Sequence, residues 1–329
     1  MTRKTLGDIT AVENMLPMYL LLPTAFIALL VLRYLMRLLL PRPQVTDFYS
    51  KYVLITGCDS GFGKMTAIRL DRLGFRVIAA CLTDQGKENI KKICSDRLVS
   101  INLDVTNSKQ IHEVFAKVKH LVSEKGIWAL VNNAGIITNG PIEWFKMEDF
   151  KRMADVNLWG LIEVTQTFLP LVKKAEGRVV NVGSVAGIMT VFSFGPYSVT
   201  KYGVEAFSDA LRREMVEHNV KVSIIEPQAF RTPLVNGLCG KKLDELWDRL
   251  SDEKKSEFSS DCLEKAREGI KGIFDRGLNE NPKMVVDAIT DAVSSRDPQP
   301  RYLVGPFAKV FAFSCLLPTW LQDHLLSLA

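Results

Sequence analysis

Tyr197 and Lys201 are spaced so that their side chains could act together on a proton. They are four residues apart, and one helical turn would place both on the same face. A free phenol has a pKa of about 10 and is a poor base at neutral pH, whereas a neighbouring ammonium favours the phenolate and lowers that value. Such a phenol can take a proton from an alcohol or return one to a carbonyl. Because this spacing also arises by chance in many helices, the pair needs support from the rest of the chain.

A glycine-rich loop follows the first strand pattern of the chain. Residues 52–55 form a short apolar run, residues 56–63 read TGCDSGFG, and residues 64–73 carry a helical pattern. Glycines between a strand and a helix let the backbone approach a pyrophosphate, which then lies on the helix N-terminus. The spacing Gly-x-x-x-Gly-x-Gly differs from the common fingerprint Gly-x-Gly-x-x-Gly. The order of strand, loop and helix favours a nucleotide site over a flexible turn.

Further strand patterns alternate with helical stripes along the chain. The strand patterns after the first cover residues 76–81, 99–103, 127–131, 178–182, 220–225 and 301–304. This alternation predicts an α/β fold, a single domain around a doubly wound parallel (Rossmann) sheet of about seven strands. Ligands of such sheets bind beyond the carboxyl ends of the strands. The glycine loop, residues 132–135, Ser184 and Pro227 each follow a strand, so we expect them to meet at one edge.

Several motifs give the chain a resemblance to the short-chain dehydrogenase/reductase family. They are TGCDSGFG at 56–63, LDVT at 103–106, NNAG at 132–135, Asn157, Ser184 and YSVTK at 197–201. The resemblance covers roughly residues 51–305. Within the family, ITGCDSGFG, GIWALVNNAG and VEAFSDALRREM are most similar to the membrane-associated retinol and 17β-hydroxysteroid dehydrogenases, with 3-hydroxybutyrate dehydrogenase nearby. One departure is Pro227-Gln228, where the family usually has Pro-Gly beside the nicotinamide.

The resemblance implies a catalytic role for four of the matched positions. Tyr197 would be the general acid/base, and Lys201 would lower its pKa and hold the nicotinamide ribose. Ser184 would hydrogen-bond the reacting oxygen and support the charge that develops there. Asn157 would hold a water that links Lys201 to solvent. A dehydrogenase mechanism with a tyrosine acid/base is therefore expected.

The resemblance also implies a set of cofactor-binding residues. Among them, Asp104 would contact the adenine, Asn132 would brace the cofactor and Thr232 would hold the carboxamide. The full set is Thr56, Gly57, Asp59, Ser60, Gly61, Phe62, Gly63, Asp84, Asp104, Asn132, Ala134, Gly135, Tyr197, Lys201, Pro227 and Thr232.

The charges near the expected adenosine ribose favour NAD over NADP. NADP carries an extra phosphate on this ribose, so its site needs a nearby Arg or Lys. The glycine loop holds Asp59 and Ser60, and Asp84 follows the second strand pattern. Lys64 and Lys87 are the cations nearest to them in sequence. Because a carboxylate hydrogen-bonds ribose hydroxyls and repels a phosphate, NAD is the predicted cofactor.

The segment 185–196 has no charged residue and several large apolar ones, as pockets for lipophilic ligands have. The predicted substrate pocket comprises Ser184, Ile188, Met189, Phe192 and Phe194, bordered by Ile136, Ile137, Trp144 and Phe145. A short hydroxy acid would need a cation for its carboxylate, and Arg231 is the nearest candidate. The pattern predicts NAD-dependent oxidation of a lipophilic alcohol, a hydroxysteroid or retinol. The alternatives are 3-hydroxybutyrate oxidation and a catalytically silent lipid-binding or scaffold relative.

The N-terminal region predicts a membrane anchor. Residues 15–32 carry no charge, and eighteen apolar residues can just span a bilayer. More cations follow this segment than precede it, so the positive-inside rule places the catalytic domain in the cytoplasm by a thin margin. We therefore expect a single-pass anchor in the endoplasmic reticulum membrane. The apolar tail 306–329 suits a membrane-contacting surface or a subunit interface, for example in a homodimer.

Composition limits the remaining options. The predicted organisation is an anchor at 1–45, a dehydrogenase domain at 46–305 with a substrate lid at about 228–280, and the apolar tail at 306–329. A net charge of +5 over 329 residues is modest, so nucleic acid is not an expected partner. The six cysteines show no paired spacing and the four histidines do not cluster. Neither a disulfide framework nor a metal site is therefore expected.

Overall fold

The computed structural model describes residues 24–32 and 43–327. They belong to two compact units, a small one with residues up to 44 and 295–297, and a large one with 45–294 and the residues from 298 onward. In the small unit, residues 24–32 form helix α1 with exposed side chains, and Gln44 pairs with Ser295 in an antiparallel bridge. Within the described ranges, no helix is both long and apolar enough to span a membrane. Half of the predicted span at 15–32, residues 15–23, lies outside these ranges.

The described chain contains all seven predicted strands, joined in one parallel sheet. They are β1 (Tyr52–Thr56), β2 (Arg76–Cys81), β3 (Val99–Asn102), β4 (Ala129–Asn132), β5 (Arg178–Val182), β6 (Lys221–Pro227) and β7 (Arg301–Val304). Their order is β3-β2-β1-β4-β5-β6-β7, which confirms the doubly wound sheet with its topological switch between β1 and β4. Strand β6 runs two residues beyond its predicted end, because Glu226 and Pro227 pair with Leu303 and Val304 of β7.

Helices cover both faces of this sheet. After α1 they are α2 (Gly61–Leu73), α3 (Asp84–Lys91), α4 (Ser108–Val122), α5 (Met147–Ala154), α6 (Gly160–Lys174), α7 (Gly195–Glu214), α8 (Lys241–Asp248), α9 (Asp252–Ser256), α10 (Cys262–Gly277), α11 (Lys283–Ser294), α12 (Pro306–Ser314) and α13 (Thr319–Ser327). A core on one face packs β-strand side chains such as Val53 against α2 and α11. On the other face, side chains such as Leu54 pack against α4, α6 and α7. Alternate residues of β1 thus serve opposite cores, and each fully buried Val or Leu contributes about 1.5–3 kcal/mol.

A third apolar cluster lies beside the carboxyl ends of the strands. It joins the loop after β4 to helices α8 and α10, within the predicted lid. Trp144 is 1% exposed and packs on Trp247, with ring centroids 4.8 Å apart. Arg249 donates two hydrogen bonds to the buried carboxylate of Asp149, at 2.9 and 3.1 Å, and so fixes the lid to α5. The ring of Trp144, which was expected to border the pocket, packs within the lid.

Candidate active site

A cavity of about 680 Å³ opens at the carboxyl ends of the strands. The volume lies within the usual range of small-molecule sites. Seventeen residues predicted from sequence lie on its wall: Gly57, Asp59, Ser60, Gly61, Phe62, Asp104, Ala134, Gly135, Ile136, Ile137, Ser184, Met189, Phe194, Tyr197, Lys201, Pro227 and Thr232. The structure thus brings the glycine loop, the strand-end residues and the tyrosine–lysine pair together in one cavity.

Helix α7 presents Tyr197 and Lys201 to this cavity. The helix begins at Gly195 and has Pro196 in its first turn, where the fixed φ of proline is already helical and its missing N–H costs nothing. The ammonium of Lys201 lies 5.6 Å from the centroid of the Tyr197 ring and donates to the carbonyl of Val182 at 2.8 Å. Both side chains are buried, with 9% and 5% of their surface exposed. The pair is therefore held rigidly on one helical face, as their spacing predicts.

Burial dominates the titration of this pair. It raises the pKa of Tyr197 to about 12, and a hydrogen bond with Ser184 acts in the opposite direction. Burial also lowers the pKa of Lys201 to about 8, against the pull of the nearby Glu205 carboxylate. Burial thus opposes the lowering of the phenol pKa that the spacing from Lys201 predicts.

Ser184 stands directly after β5, at the start of the short 3-10 turn Val185–Gly187. Its hydroxyl accepts a hydrogen bond from the amide of Ala186 at 3.1 Å and lies 3.4 Å from the carbonyl of Pro227. Both contacts orient the hydroxyl while leaving it on the cavity wall. A hydroxyl held in this way can donate to a substrate oxygen beside Tyr197.

Asn157 lies behind the wall and positions it. The residue sits in the π-helical turn Asp155–Trp159 between α5 and α6, a local geometry often found at functional sites. Its side chain accepts from the amide of Ile136 at 2.8 Å and donates to the carbonyl of the same residue at 2.9 Å. It also donates to the hydroxyl of Thr200 at 3.2 Å, and Thr200 donates to the carbonyl of Tyr197. Asn157 thus braces the loop after β4 against α7.

Positive φ angles and close backbone contact explain the glycines of the loop. Gly57 has φ 71° and Gly61 has φ 56°, values that side chains with a Cβ rarely adopt. A Cβ on Gly63 would lie 2.3 Å from the carbonyl oxygen of Gly57, so α2 could not approach β1 as it does. Gly63 therefore supports the loop from behind, whereas Gly57 and Gly61 face the cavity. The backbone of this loop and the start of α2 form a cradle that suits a pyrophosphate.

Thr56 and Asn132 were predicted as cofactor contacts but lie behind the wall. The hydroxyl of Thr56 accepts from the amides of Asn133 and Ala134, both at 3.0 Å. The Asn132 amide donates to Thr165 and to Asn181, both at 2.8 Å, and only 3% of this residue is exposed. These bonds join neighbouring strand ends and α6. The two residues therefore hold the loops that line the cavity, and their direct contact with a cofactor stays a prediction.

The two predicted ribose carboxylates have different positions. Asp59 lines the cavity, and its carboxylate accepts from the amides of Leu82 and Thr83, at 2.7 and 3.0 Å, after β2. Asp84 points away from the cavity, pairs with Lys87 at 2.9 Å and is 82% exposed at its side chain. Of these two carboxylates, only that of Asp59 lines the cavity, and a contact of Asp84 with the ribose stays a prediction.

The substrate end of the wall comes from parts of the chain that sequence patterns did not join. Helix α10 contributes Ile273, Phe274 and Gly277, and α12 contributes Phe311. Predicted Ile188 and Phe192 do not line the cavity, and Phe192 is 61% exposed. Phe145, expected as a border, is also absent from the wall. The apolar character of the pocket is as expected, but its members are partly different.

The cations near the substrate end also differ from those expected. Arg231 pairs with Glu280 at 2.5 Å on the surface and does not line the cavity. Lys242 of α8 does line it, with its ammonium 3.2 Å from the carbonyl of Leu234 and 3.5 Å from that of Ile137. Burial lowers the pKa of this lysine. Sequence reasoning missed Lys242 because its helix belongs to a lid whose docking depends on tertiary contacts.

The chain is similar to known proteins in sequence and in structure. The family described as short chain dehydrogenase matches residues 51–242. Retinol dehydrogenase 16 of Rattus norvegicus is 45% identical over 91% of this chain and 95% of its own length. The 17-beta-hydroxysteroid dehydrogenase type 6 of the same organism is 43% identical over 92% of this chain and 96% of its own length.

Among solved structures, the closed form of serine dehydrogenase complexed with NADP+ is similar to this chain. The TM-score is 0.62 at 26% identity, over 76% of this chain and 93% of that chain. The match covers most of both chains, in agreement with the strand order of the sheet.

Proposed function

This chain belongs to the short-chain dehydrogenase family, and from that membership we propose that it oxidises a lipophilic alcohol, a hydroxysteroid or retinol, with NAD as the hydride acceptor. As a member it is an oxidoreductase, and its cofactor is a nicotinamide dinucleotide. One observation carries the proposal: the buried pair Tyr197 and Lys201 faces a cavity whose far wall is formed by apolar side chains such as Phe274 and Phe311. The similarity to a retinol and a hydroxysteroid dehydrogenase supports the same substrate class.

The proposed proton transfer follows from the positions of the side chains. The glycine loop, Asp59 and Thr232 would hold the dinucleotide, which supplies a hydride acceptor and, when oxidised, a positive charge that favours a nearby phenolate. Ser184 would donate to the alcohol oxygen and fix its orientation. Tyr197 would take the hydroxyl proton as the carbonyl forms, and would return it in the reverse reaction. Lys201 would keep a positive charge beside the phenolate and hold the ribose.

The cofactor preference should depend on Asp59. In the described chain the cavity wall carries two cations, Lys201 and Lys242, and neither belongs to the segment after β2. A phosphate on the adenosine ribose would meet a carboxylate there, and like charges about 4 Å apart repel by at least ~1 kcal/mol. We expect wild-type kcat/KM to favour NAD, and Asp59→Ser to reduce that preference by at least about fivefold.

Asp84→Asn is the matched control for this measurement, because Asp84 is off the wall and should leave the preference unchanged. Both ratios come from initial rates of NADH or NADPH formation. A wild type that prefers NADP, or a shift produced by Asp84→Asn alone, contradicts the assignment to Asp59.

A substrate panel tests the proposed function. With NAD, we expect kcat/KM for a hydroxysteroid or retinol to exceed that for 3-hydroxybutyrate by at least about a hundredfold, because the apolar wall gains about 25 cal/mol for each Å² of ligand surface that it buries. The alternative acid would need a cation, and Lys242 is the one available at this end of the wall. Efficient turnover of 3-hydroxybutyrate that is lost in Lys242→Met would support that alternative. Absence of NADH formation with every alcohol would indicate the silent relative.

We propose further that the enzyme works at the membrane of the endoplasmic reticulum with its catalytic domain in the cytoplasm. Residues 15–32 support an anchor, and α12 and α13 supply a second apolar surface, formed by exposed Phe307, Val310, Phe313, Leu316 and Trp320. Aromatic and aliphatic side chains exposed together suit the bilayer interface.

Deletion of residues 1–40 should weaken attachment to microsomes but leave binding through the second surface. Adding Leu316→Glu and Trp320→Glu should then release the chain, because charged groups are costly in the interface. Sedimentation with microsomes measures both steps, and protease added to sealed vesicles should digest the catalytic domain. Release by the deletion alone would contradict the second surface, and protection of the domain would reverse the orientation.

A further inference from the structure

Gln228 occupies the position where the family usually has glycine, and its buried carboxamide joins three parts of the cavity wall. The residue follows Pro227, and its backbone amide donates to the carbonyl of Val304 at 3.0 Å, which continues the pairing of β6 with β7. Only 6% of Gln228 is exposed. A glutamine in this turn is therefore a packed structural element and not a surface substitution.

Its side chain caps two helices at once. The amide nitrogen Nε2 donates to the carbonyl of Gly277 at 3.0 Å, in the last turn of α10. The amide oxygen Oε1 accepts from the backbone N–H of Phe307 at 2.9 Å, in the first turn of α12. The last carbonyls and first amides of a helix lack partners within the helix, so each bond satisfies a group that would otherwise be left open. Glycine at position 228 could make neither bond.

The absence of a side chain at Gly305 leaves the space that the Gln228 side chain occupies. A Cβ at Gly305 would lie 2.2 Å from Oε1 of Gln228, and the glycine has φ 110°. The close approach lets α12 begin directly over the carboxamide. The two residues are 77 positions apart in sequence, yet their sterics are matched, which indicates that the contact defines where α12 starts.

Both capped helices contribute to the substrate end of the cavity. Gly277 and Phe274 of α10 line it, as does Phe311 of α12, and Gln228 lines it together with Pro227. Removing the carboxamide would free the end of the lid helix and the start of the tail helix. The catalytic hydroxyls and the glycine loop belong to other elements, and within the described chain the hydrogen bonds of this carboxamide go to Gly277 and Phe307.

We propose that Gln228 is a positioning residue that sets the substrate end of the cavity by holding α10 and α12 in register with the turn after β6. This inference rests on the proposed oxidation of a lipophilic alcohol. It predicts that Gln228 determines how well a bulky alcohol is bound, while proton transfer and cofactor binding proceed without it.

The test uses the full-length protein with Gln228→Met, which keeps the chain length but makes no hydrogen bond. We expect KM for the lipophilic alcohol to rise at least about fivefold, the effect of losing buried hydrogen bonds, while kcat and KM for NAD stay within about twofold. Amide hydrogen exchange in α12 and at the end of α10 should accelerate at least about tenfold. Gln322→Met is the matched control, since Gln322 also donates to a backbone carbonyl, that of Leu317, but lies in α13 away from the wall.

A double-mutant cycle examines the same contact from its other side. Gly305→Ala should lower the midpoint of thermal unfolding more in the wild type than in Gln228→Gly, because the clash with the carboxamide exists only in the wild type while the φ penalty is common to both. If the effects of Gly305→Ala and Gln228→Gly on the unfolding midpoint were additive, the proposed steric match between these two residues would be wrong.

The combined results of kinetics and hydrogen exchange in Gln228→Met decide whether Gln228 is a positioning residue. Faster exchange with unchanged KM, or equal losses in KM, kcat and NAD binding, would overturn the positioning role. Unchanged exchange in Gln228→Met would overturn the coupling itself. A wild type that oxidises no alcohol would contradict the proposed function instead, and the exchange measurement would still decide whether Gln228 holds the two helices.

Discussion

Replacing Tyr197 by Phe is expected to lower kcat by at least about a hundredfold, the lower range for loss of a general acid–base group. The ring of Tyr197 packs in the apolar cluster that joins the loop after β4 to α8 and α10. Phe therefore preserves these contacts and removes only the hydroxyl that carries the proton. The affinity for the nicotinamide dinucleotide should remain near that of the wild type. Initial rates of NADH formation and a fluorescence titration of cofactor binding measure the two quantities separately.

Tyr202→Phe is the matched control for this variant. Tyr202 lies on the same helix, one turn and a half further on, and its hydroxyl donates to the carbonyl of Ile188 at 2.7 Å. It does not line the cavity, so its loss should leave kcat within about threefold of wild type, as for a net loss of ~0.5 kcal/mol. A Tyr197→Phe enzyme that keeps wild-type turnover, or a Tyr202→Phe enzyme with the same large loss, would contradict the mechanism.

Ser184→Ala is expected to have the second largest effect, a fall in kcat of about 10²–10³-fold, as for removal of one donor to a developing oxyanion. The hydroxyl is positioned on the wall by Ala186 and Pro227, so no other group in the described chain replaces it at that place. Loss of the bond from Ala186 should cost about 1 kcal/mol of stability. Rates at saturating alcohol and the midpoint of thermal unfolding distinguish the catalytic effect from the structural one.

Ser198→Ala controls for the loss of a buried hydroxyl. Ser198 follows Tyr197 in α7, is 2% exposed and does not line the cavity. Its replacement should leave kcat near wild type, whatever it does to stability. If Ser184→Ala and Ser198→Ala reduced kcat equally, the role of Ser184 at the reacting oxygen would be wrong.

The sheet could be predicted closely because its signal is local. Strands β2, β5 and β7 have the predicted bounds, since each is a short apolar-rich run between helical or turn segments. The loops that follow the strands and line the cavity were predicted from the same local signal. Parallel strands end at the same edge, so the glycine loop, Ser184 and Pro227 had to converge once the sheet formed.

Residues that differ from prediction share one physical feature. The positions of their side chains depend on how a loop or helix packs against the rest of the fold. The order of residue types along the chain does not contain that information. Asp84 is close in sequence to the residues expected at the ribose, yet its carboxylate pairs with Lys87 on the surface. Asn132 ends a cavity-facing strand, yet its amide is used between strands. Phe311 is 114 residues from Tyr197 in sequence and still reaches the same cavity.

The pKa of Tyr197 depends both on a local feature of the sequence and on the tertiary structure. Its spacing from Lys201 indicates an attractive charge, which lowers the pKa of a phenol. The structure adds burial, which disfavours the charged form and raises that pKa. Spacing along a helix is a local quantity, whereas desolvation sums over every neighbour that the fold brings near.

By itself, the sequence determined the parallel sheet, the place of the cavity and the position of Tyr197 and Lys201 on one helical face, because strand-forming runs and helical spacing act over a few residues. Only the tertiary structure decided which acid lines the wall, which helices close its substrate end and how Gln228 holds them. Those features require contacts between segments far apart in the chain. Gln228 bonds to Gly277 and to Phe307, 49 and 79 residues away, and no local pattern specifies such a pairing.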